Sequence, residues 1–128
     1  MIRLRHVLPV ALLLVAQAPA VAQPRAPLRE IPPAFRGGWD ETPGGCQGFE
    51  PRFSIAARDL WNFEVHYRVL RVRWLGRTEI EVATQHVDHD GRPTRDRETW
   101  RFRLVDNGRA IAGNGANFRR CARPVERD

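Results

Sequence analysis

The 128-residue chain carries 21 basic residues, every one of them arginine, and 15 acidic residues, for a formal net charge of +6. That length fits one small domain and excludes a multidomain arrangement. The arginines alternate with acidic and apolar residues and form no continuous block, which favours a solvated cationic surface over a nucleic-acid-binding one. We therefore expect no nucleic-acid partner, with attraction to an anionic envelope surface as the minor alternative.

The N-terminus has the three parts of a secretory signal peptide. The first six residues include two arginines and no acid, residues 7–16 form a short apolar run, and Ala20 and Ala22 occupy the small positions of an A-x-A cleavage site. The run is shorter than the roughly 20 residues that cross a bilayer. We predict a signal peptide over 1–22, with cleavage after Ala22 favoured over Ala18 or Ala20. The mature chain is then exported, periplasmic or extracellular, without a transmembrane segment, and a monomer.

The two cysteines, Cys46 and Cys121, lie near opposite ends of the region that follows. In an oxidising compartment an even count of two predicts one disulfide. A metal or redox pair is the alternative, but the chain has no C-x-x-C motif and no clustered histidine spacing. We predict a Cys46–Cys121 disulfide.

Composition divides the mature chain into three parts. Residues 23–34 hold four prolines and no periodic apolar pattern, which is typical of a flexible leader. Ile31 and Phe35 are candidates for attaching the end of this leader to the domain. A single β domain is predicted over 35–123, followed by a C-terminal tail over 124–128.

Apolar and polar residues alternate through the domain, as in strands with one buried face. The predicted inward sets are Phe53, Ile55 and Ala57; Trp61, Phe63 and Val65; Leu70, Val72 and Trp74; Ile80, Val82 and Thr84; and Trp100, Phe102 and Leu104. Glycine-containing turns at 76–77, 90–91, 107–108 and 113–115 separate the later runs. We predict about seven or eight strands near 37–42, 52–57, 60–66, 68–75, 78–87, 97–106, 109–113 and 116–121.

These strands predict an all-β fold with up-and-down antiparallel connections. A sheet of that many strands coils until one face is enclosed, so we expect a small barrel or a strongly curved half-barrel. The disulfide would then join the end of the first strand to the last strand, which is the pairing that closure requires.

Several short segments resemble a group of small secreted proteobacterial proteins. The shared features are Phe35-Arg36-Gly37-Gly38-Trp39, the following Cys46, the strand around Trp61-Asn62-Phe63-Glu64, and the terminal Phe118-Arg119-Arg120-Cys121. The resemblance covers residues 31–123. It implies a fold and no established activity.

A looser resemblance is to the calycin barrels, which include lipocalins and small bacterial protease inhibitors. Gly37-Gly38-Trp39 fits their Gly-x-Trp, and Arg119 or Arg120 fits the last-strand arginine that packs on the tryptophan. A guanidinium on an indole face is a favourable cation–π contact. The alternative, that Trp39 is simply a core residue, stays open.

Candidate chemistry is sparse. His86, Asp88 and Asp90 are metal-capable, but they supply too few converging ligands, and Asp90-Gly91 suits a hairpin tip for backbone reasons. Ser54, the one serine, has no Gly-x-Ser-x-Gly context. Glu64 is a candidate carboxylate, though a satisfied or exposed side chain is favoured. We predict no metal, no cofactor and no enzymatic activity.

The four tryptophans, if exposed beside arginines, would form a recognition patch. We therefore predict a non-enzymatic envelope binding module for a protein partner or a small apolar ligand. The alternatives are an inhibitor of a secreted hydrolase and a structural envelope protein without a specific ligand. The candidate binding residues are Trp39, Trp61, Glu64, Arg119 and Arg120.

Overall fold

The alternating apolar residues form eight strands in a computed structural model that describes residues 25–41, 46 and 52–121. Each strand pairs antiparallel with the next, and the last pairs with the first, so the predicted all-β barrel closes completely. No α-helix occurs within the described residues. The strands are β1 (Gly37–Asp40), β2 (Phe53–Ile55), β3 (Asp59–Asn62), β4 (Val65–Trp74), β5 (Glu79–Val87), β6 (Pro93–Val105), β7 (Ala110–Gly113) and β8 (Ala116–Arg120).

The closing pair joins Trp39 of β1 to Arg120 of β8, and Asp40 to Arg119. The predicted disulfide joins Cys46 to Cys121 with a Cα–Cα distance of 5.2 Å. It fastens the β1–β2 connection to the residue that follows β8. The predicted signal peptide, 1–22, and the predicted tail, 124–128, lie outside the described residues. Within the described residues, no helix has the length and apolar character needed to cross a bilayer.

Alternate connections of an up-and-down barrel lie at opposite ends. The chain enters β1 and leaves β8 at what we call the entry end, which also holds the 3-10 turn Pro33–Phe35 and the connections 56–58, 75–78 and 106–109. The far end holds the connections 63–64, 88–92 and 114–115.

The described part of the predicted leader is bound to the barrel. Leu28 and Val72 exchange two backbone hydrogen bonds of 2.8 Å, because β4 runs past the start of β3 and leaves one edge open there. Ile31 donates its backbone N–H to the carbonyl of Ala57, and both Ile31 and Phe35 are fully buried. The attachment predicted for these two residues is therefore present, and the packed domain begins at about Leu28.

Aromatic rings form the centre of the core. Phe53 meets three other rings edge to face, with centroid distances of 5.5 Å to Trp100, 6.1 Å to Phe102 and 4.8 Å to Phe118. Edge-to-face contacts add about 0.5–1.5 kcal/mol beyond the burial of apolar area. Ile80, Val82 and Thr84 are fully buried in β5, as their alternation predicted.

The predicted strand over 60–66, with Trp61, Phe63 and Val65 inward, is wrong. Leu60 is the fully buried residue of β3, and the chain turns at Phe63 and Glu64, leaving Phe63 and Val65 exposed. Side chains alternate with period two, so an error of one position moves a whole set to the other face. Trp61 consequently lies on the outer face of the barrel.

Leu70, predicted to point inward, is exposed because β4 contains a β-bulge between Val69 and Arg71. A bulge inserts one extra residue into a strand and shifts the alternation beyond it. Val69 and Val72 face the core instead. The predicted start of β6 at residue 97 is also late, since the strand begins at Pro93.

Candidate binding surface

Trp39 is a fully buried core residue at the entry end. Its Nε1–H donates to the carbonyl of Phe35 at 3.0 Å, and the guanidinium of Arg120 lies over its ring at 4.2 Å from the centroid. Gly37 leaves room for that guanidinium, because a Cβ there would lie 3.3 Å from Arg120 Nη1. Trp39 is therefore part of the core, and the arginine over it is Arg120.

Arg120 also holds together two separate stretches of backbone, one at the 3-10 turn before β1 and one in the β6–β7 connection. Its guanidinium donates to the carbonyls of Arg36 at 2.7 Å, Ala34 at 2.6 Å and Gly108 at 3.2 Å. Arg119, the other candidate, is exposed, and its one ion pair within the described residues is with Asp106 at 3.7 Å. These contacts close the entry end of the barrel. Because they occupy the guanidinium of Arg120, few of its N–H groups remain for a binding partner.

The other two predicted site residues, Trp61 and Glu64, lie in the β3–β4 hairpin at the far end. Glu64 is exposed in the two-residue turn with Phe63. Trp61 is half-buried on the outer face, where it stacks on its cross-strand partner His66 with parallel rings 4.8 Å apart. The structure thus brings these two predicted residues together and separates them from Trp39 and Arg120.

Phe63 occupies an unusual position in this hairpin. Its φ of 53° is left-handed, a conformation in which glycine or asparagine is usual and an aromatic residue is an outlier. Its backbone N–H donates to the carbonyl of Arg52 at 3.0 Å, and the Arg52 guanidinium lies 4.2 Å from the ring centroid. The ring is 47% exposed and neighbouring Val65 is 40% exposed, so the turn presents an apolar tip.

On the outer face of the hairpin, next to this apolar turn, contacts between side chains of β3 and β4 hold their orientation. His66 Nε2 lies 2.7 Å from Asp59 Oδ1, and this contact orients the imidazole that stacks on Trp61. The three side chains form a row across β3 and β4. The row gives the tip a rigid base, since both rings are held by a stack and one of them also by a hydrogen bond.

Three buried side-chain atoms at the base of the hairpin have no hydrogen-bond partner among the described residues: Arg52 Nε, Ser54 Oγ and Asn62 Oδ1. Ser54 pairs with Trp61 in the β2–β3 register, and Asn62 directly precedes the turn. Unsatisfied buried polar groups are few in native proteins, and a functional role is one of the reasons for which they are kept. Their concentration here supports the hairpin as the candidate binding surface.

A second cluster lies toward the far end of the barrel, where Trp100 is buried, Tyr67 half-buried and Glu98 exposed. Tyr67 contacts Trp100 edge to face at 5.3 Å, and its hydroxyl donates to the carboxylate of Glu98. Burial, with this hydrogen bond and the negative charge of Glu98, raises the pKa of Tyr67 to about 12. The phenol therefore stays protonated at physiological pH and acts as a hydrogen-bond donor.

The metal-capable residues after β5 make local contacts. Asp88 Oδ1 accepts hydrogen bonds from the backbone N–H groups of Asp90 at 3.0 Å and Arg92 at 2.8 Å, which shapes the turn. His86 Nδ1 lies 3.3 Å from Thr94 Oγ1. Within the described residues, no group of three His, Cys, Asp or Glu side chains is placed to hold a metal ion.

Sequence reasoning did not identify Phe63, Val65 and Arg52 as surface residues. Alternation assigned Phe63 and Val65 to the core, and the turn has no glycine, asparagine, aspartate or proline at its two central positions to reveal it. Tyr67 was missed because it is the single residue between the predicted strands 60–66 and 68–75, so alternation assigned it to neither face of the sheet.

Comparison of the chain with protein-family models, curated proteins and solved structures finds no match.

Proposed function

We propose that this chain is a non-enzymatic, exported binding module that recognises a protein partner through the β3–β4 hairpin. The observation that carries the proposal is Phe63, an aromatic side chain held in left-handed backbone and 47% exposed at the hairpin tip. We call Phe63, Glu64 and Val65 the hairpin tip.

Phe63 serves the fold less well than a glycine would. Left-handed backbone costs a non-glycine residue about 1–2 kcal/mol, and half of the ring is left in water, so the side chain contributes little burial in return. Exposed aromatic residues are the typical anchors of protein interfaces, where they enter a pocket and carry much of the binding energy. Strain of this kind is characteristic of binding sites.

The contacts of the hairpin tip define the chemistry of the partner. The guanidinium of Arg52 lies on one face of the Phe63 ring, so a pocket that takes the ring also meets a positive charge. Without the predicted signal peptide, which carries Arg3 and Arg5, the chain keeps 19 of its 21 basic residues against 15 acidic ones, and this net charge of +4 favours association with an acidic protein surface. The partner we infer has an apolar pocket with acidic groups at its rim.

A hydrolase inhibitor is one form of this function, in which the pocket is the partner's active-site cleft. The small-ligand form has less support, because it requires space inside the barrel. Three aromatic rings pack edge to face against Phe53, and the four rings together fill that part of the interior.

The test compares three oxidised forms of the exported chain as bait in an envelope extract of the producing cell. These are the natural protein, Phe63→Gly, and Leu75→Ser, which removes another exposed apolar side chain, 39% exposed, at the entry end. We expect the natural protein and Leu75→Ser to capture a partner that Phe63→Gly does not capture. With that partner purified, we expect Phe63→Gly to raise Kd about 30-fold or more, the size of an anchor residue's effect.

Thermal unfolding of the same samples separates binding from folding. Phe63→Gly relieves the left-handed strain, so its Tm should be equal to or above that of the natural protein. Equal capture and equal Kd for Phe63→Gly would overturn the proposal, and so would the absence of any protein captured by both the natural protein and Leu75→Ser.

A further inference from the structure

The outer face of the barrel carries a groove between β6 and the β7–β8 hairpin, remote in sequence from the β3–β4 hairpin. The groove has a volume of ≈ 360 Å³, near the lower end of small-molecule sites. Arg101 and Arg103 of β6 line one side, and Asn117 with the turn at Asn114 lines the other. Glu79 lies at one end.

The strand register explains why there is a depression at this place. Arg103 pairs with Ala112, and Ala112 pairs with Asn117, so a single methyl group lies between two longer outward side chains. Gly113 also lines the groove, and β6 and β7 approach closely there, because a Cβ on Gly113 would lie 2.7 Å from the carbonyl oxygen of Arg101. The depression is therefore built into the sheet and does not depend on the position of a loop.

The two arginines differ in their ion pairing within the described residues. Arg101 Nη2 lies 3.4 Å from Glu81 Oε2, and the other oxygen of Glu81 accepts a 2.7 Å bond from Arg73. Arg103 makes no ion pair within the described residues, although Glu79 is its cross-strand partner. The free guanidinium of Arg103 therefore faces a groove whose other polar side chains are the guanidinium of Arg101, two amides and one carboxylate.

We propose that this groove binds a small acidic saccharide, with its carboxylate on Arg103 and its hydroxyl groups on the surrounding polar side chains. A free guanidinium presents parallel N–H groups that match a carboxylate. The amides of Asn114 and Asn117 both donate and accept hydrogen bonds, and Glu79 accepts them, as hydroxyl groups require. This site is independent of the protein-binding hairpin.

Isothermal titration calorimetry on the oxidised chain in physiological salt tests the proposal with three probes: digalacturonate, the neutral galactose disaccharide and inorganic phosphate. We expect digalacturonate to bind at least tenfold more tightly than either of the others. Equal affinity for the neutral disaccharide would overturn the role of the carboxylate, and equal affinity for phosphate would overturn the saccharide.

Variants locate the site. Arg103→Gln removes the free charge and Ala112→Leu fills the floor, and each should weaken digalacturonate binding at least tenfold. Arg97→Gln removes the same charge from an outward position of the same strand that does not line the groove, and it should change binding less than twofold. Equal losses in Arg97→Gln and Arg103→Gln would show attraction by the overall charge and overturn the site, and thermal unfolding confirms that each variant is folded.

Discussion

Arg120 shows how one side chain joins distant parts of this chain. It lies over Trp39, its cross-strand partner, and donates to the carbonyls of Ala34 and Arg36 at the 3-10 turn and to a carbonyl in the β6–β7 connection. Partial burial of the guanidinium lowers its pKa from the ordinary value. Sequence could place an arginine at 119 or 120 over Trp39, but only the strand register distinguishes the two.

We expect Arg120→Ala to lower the free energy of unfolding by about 2 kcal/mol or more, since it removes charge-assisted hydrogen bonds and a cation–π contact. Arg119→Ala is the matched control, and its loss should stay within about 0.5 kcal/mol because an exposed 3.7 Å ion pair contributes little. Urea denaturation of both variants measures this. Equal losses would show that the contacts of Arg120 are not stabilising.

Tyr67 is the one tyrosine of the chain, so the ultraviolet absorbance of ionised phenol reports this residue alone. We expect a midpoint of about 12, and a lower midpoint, toward 10.0, in Glu98→Gln, which removes the negative charge beside the hydroxyl. The folded-state pKa is raised, so the stabilisation is present below pH 10.0 and is lost as the pH rises toward about 12. An unchanged midpoint in Glu98→Gln would contradict the assigned contact.

At the scale of elements, the β3–β4 hairpin and the β4 bulge show where apolar–polar alternation fails to predict the buried face of a strand. Where strands are regular, as at Ile80, Val82 and Thr84 of β5, period two predicted the buried face correctly. Where a turn lacks glycine or a bulge inserts a residue, as at Phe63 and Leu70, the predicted face is inverted. The candidate hairpin was therefore found only in part, through Trp61 and Glu64.

The β6–β7 pair depends on the close approach of two backbones at Gly113. We expect Gly113→Ala to lower the free energy of unfolding by about 1–3 kcal/mol, because its Cβ would meet the Arg101 carbonyl at 2.7 Å and the Phe102 ring at 3.0 Å. Gly76→Ala is the control, since a Cβ there meets no atom within 4 Å, and we expect no loss. Thermal unfolding distinguishes the two, and equal Tm values would contradict the close approach.

For the whole molecule, closure of the barrel and the disulfide act on the same part of the chain. β1 has only four residues, and its register with β8 covers two residue pairs, so this closing pair rests on few backbone hydrogen bonds. The Cys46–Cys121 bond holds the end of β8 beside this short pair. It spans 75 residues, which restricts the unfolded chain strongly.

We expect the Cys46→Ser/Cys121→Ser double variant to lose about 4 kcal/mol of unfolding free energy, the loop-closure value for a separation of this length. Much of the stability of a small domain would then be lost. Chemical denaturation of the variant, beside the natural protein with and without reductant, measures the loss. A reduced protein as stable as the oxidised one would show that strand pairing alone closes the barrel.

Sequence by itself determined the antiparallel all-β fold and the disulfide, because period-two alternation, turn signals and an even cysteine count are local or countable properties. It left a closed barrel and a strongly curved half-barrel as alternatives, and the pairing of β1 with β8 decided for the closed barrel. The tertiary structure decided which tryptophan is core and which is surface, which arginine covers Trp39, and where the grooves lie. Those outcomes depend on register, and register is set by contacts between strands that are distant in sequence. Composition does not reveal the exact position of a turn or the presence of a β-bulge. Yet either one decides which side chains point outward, where a partner can meet them.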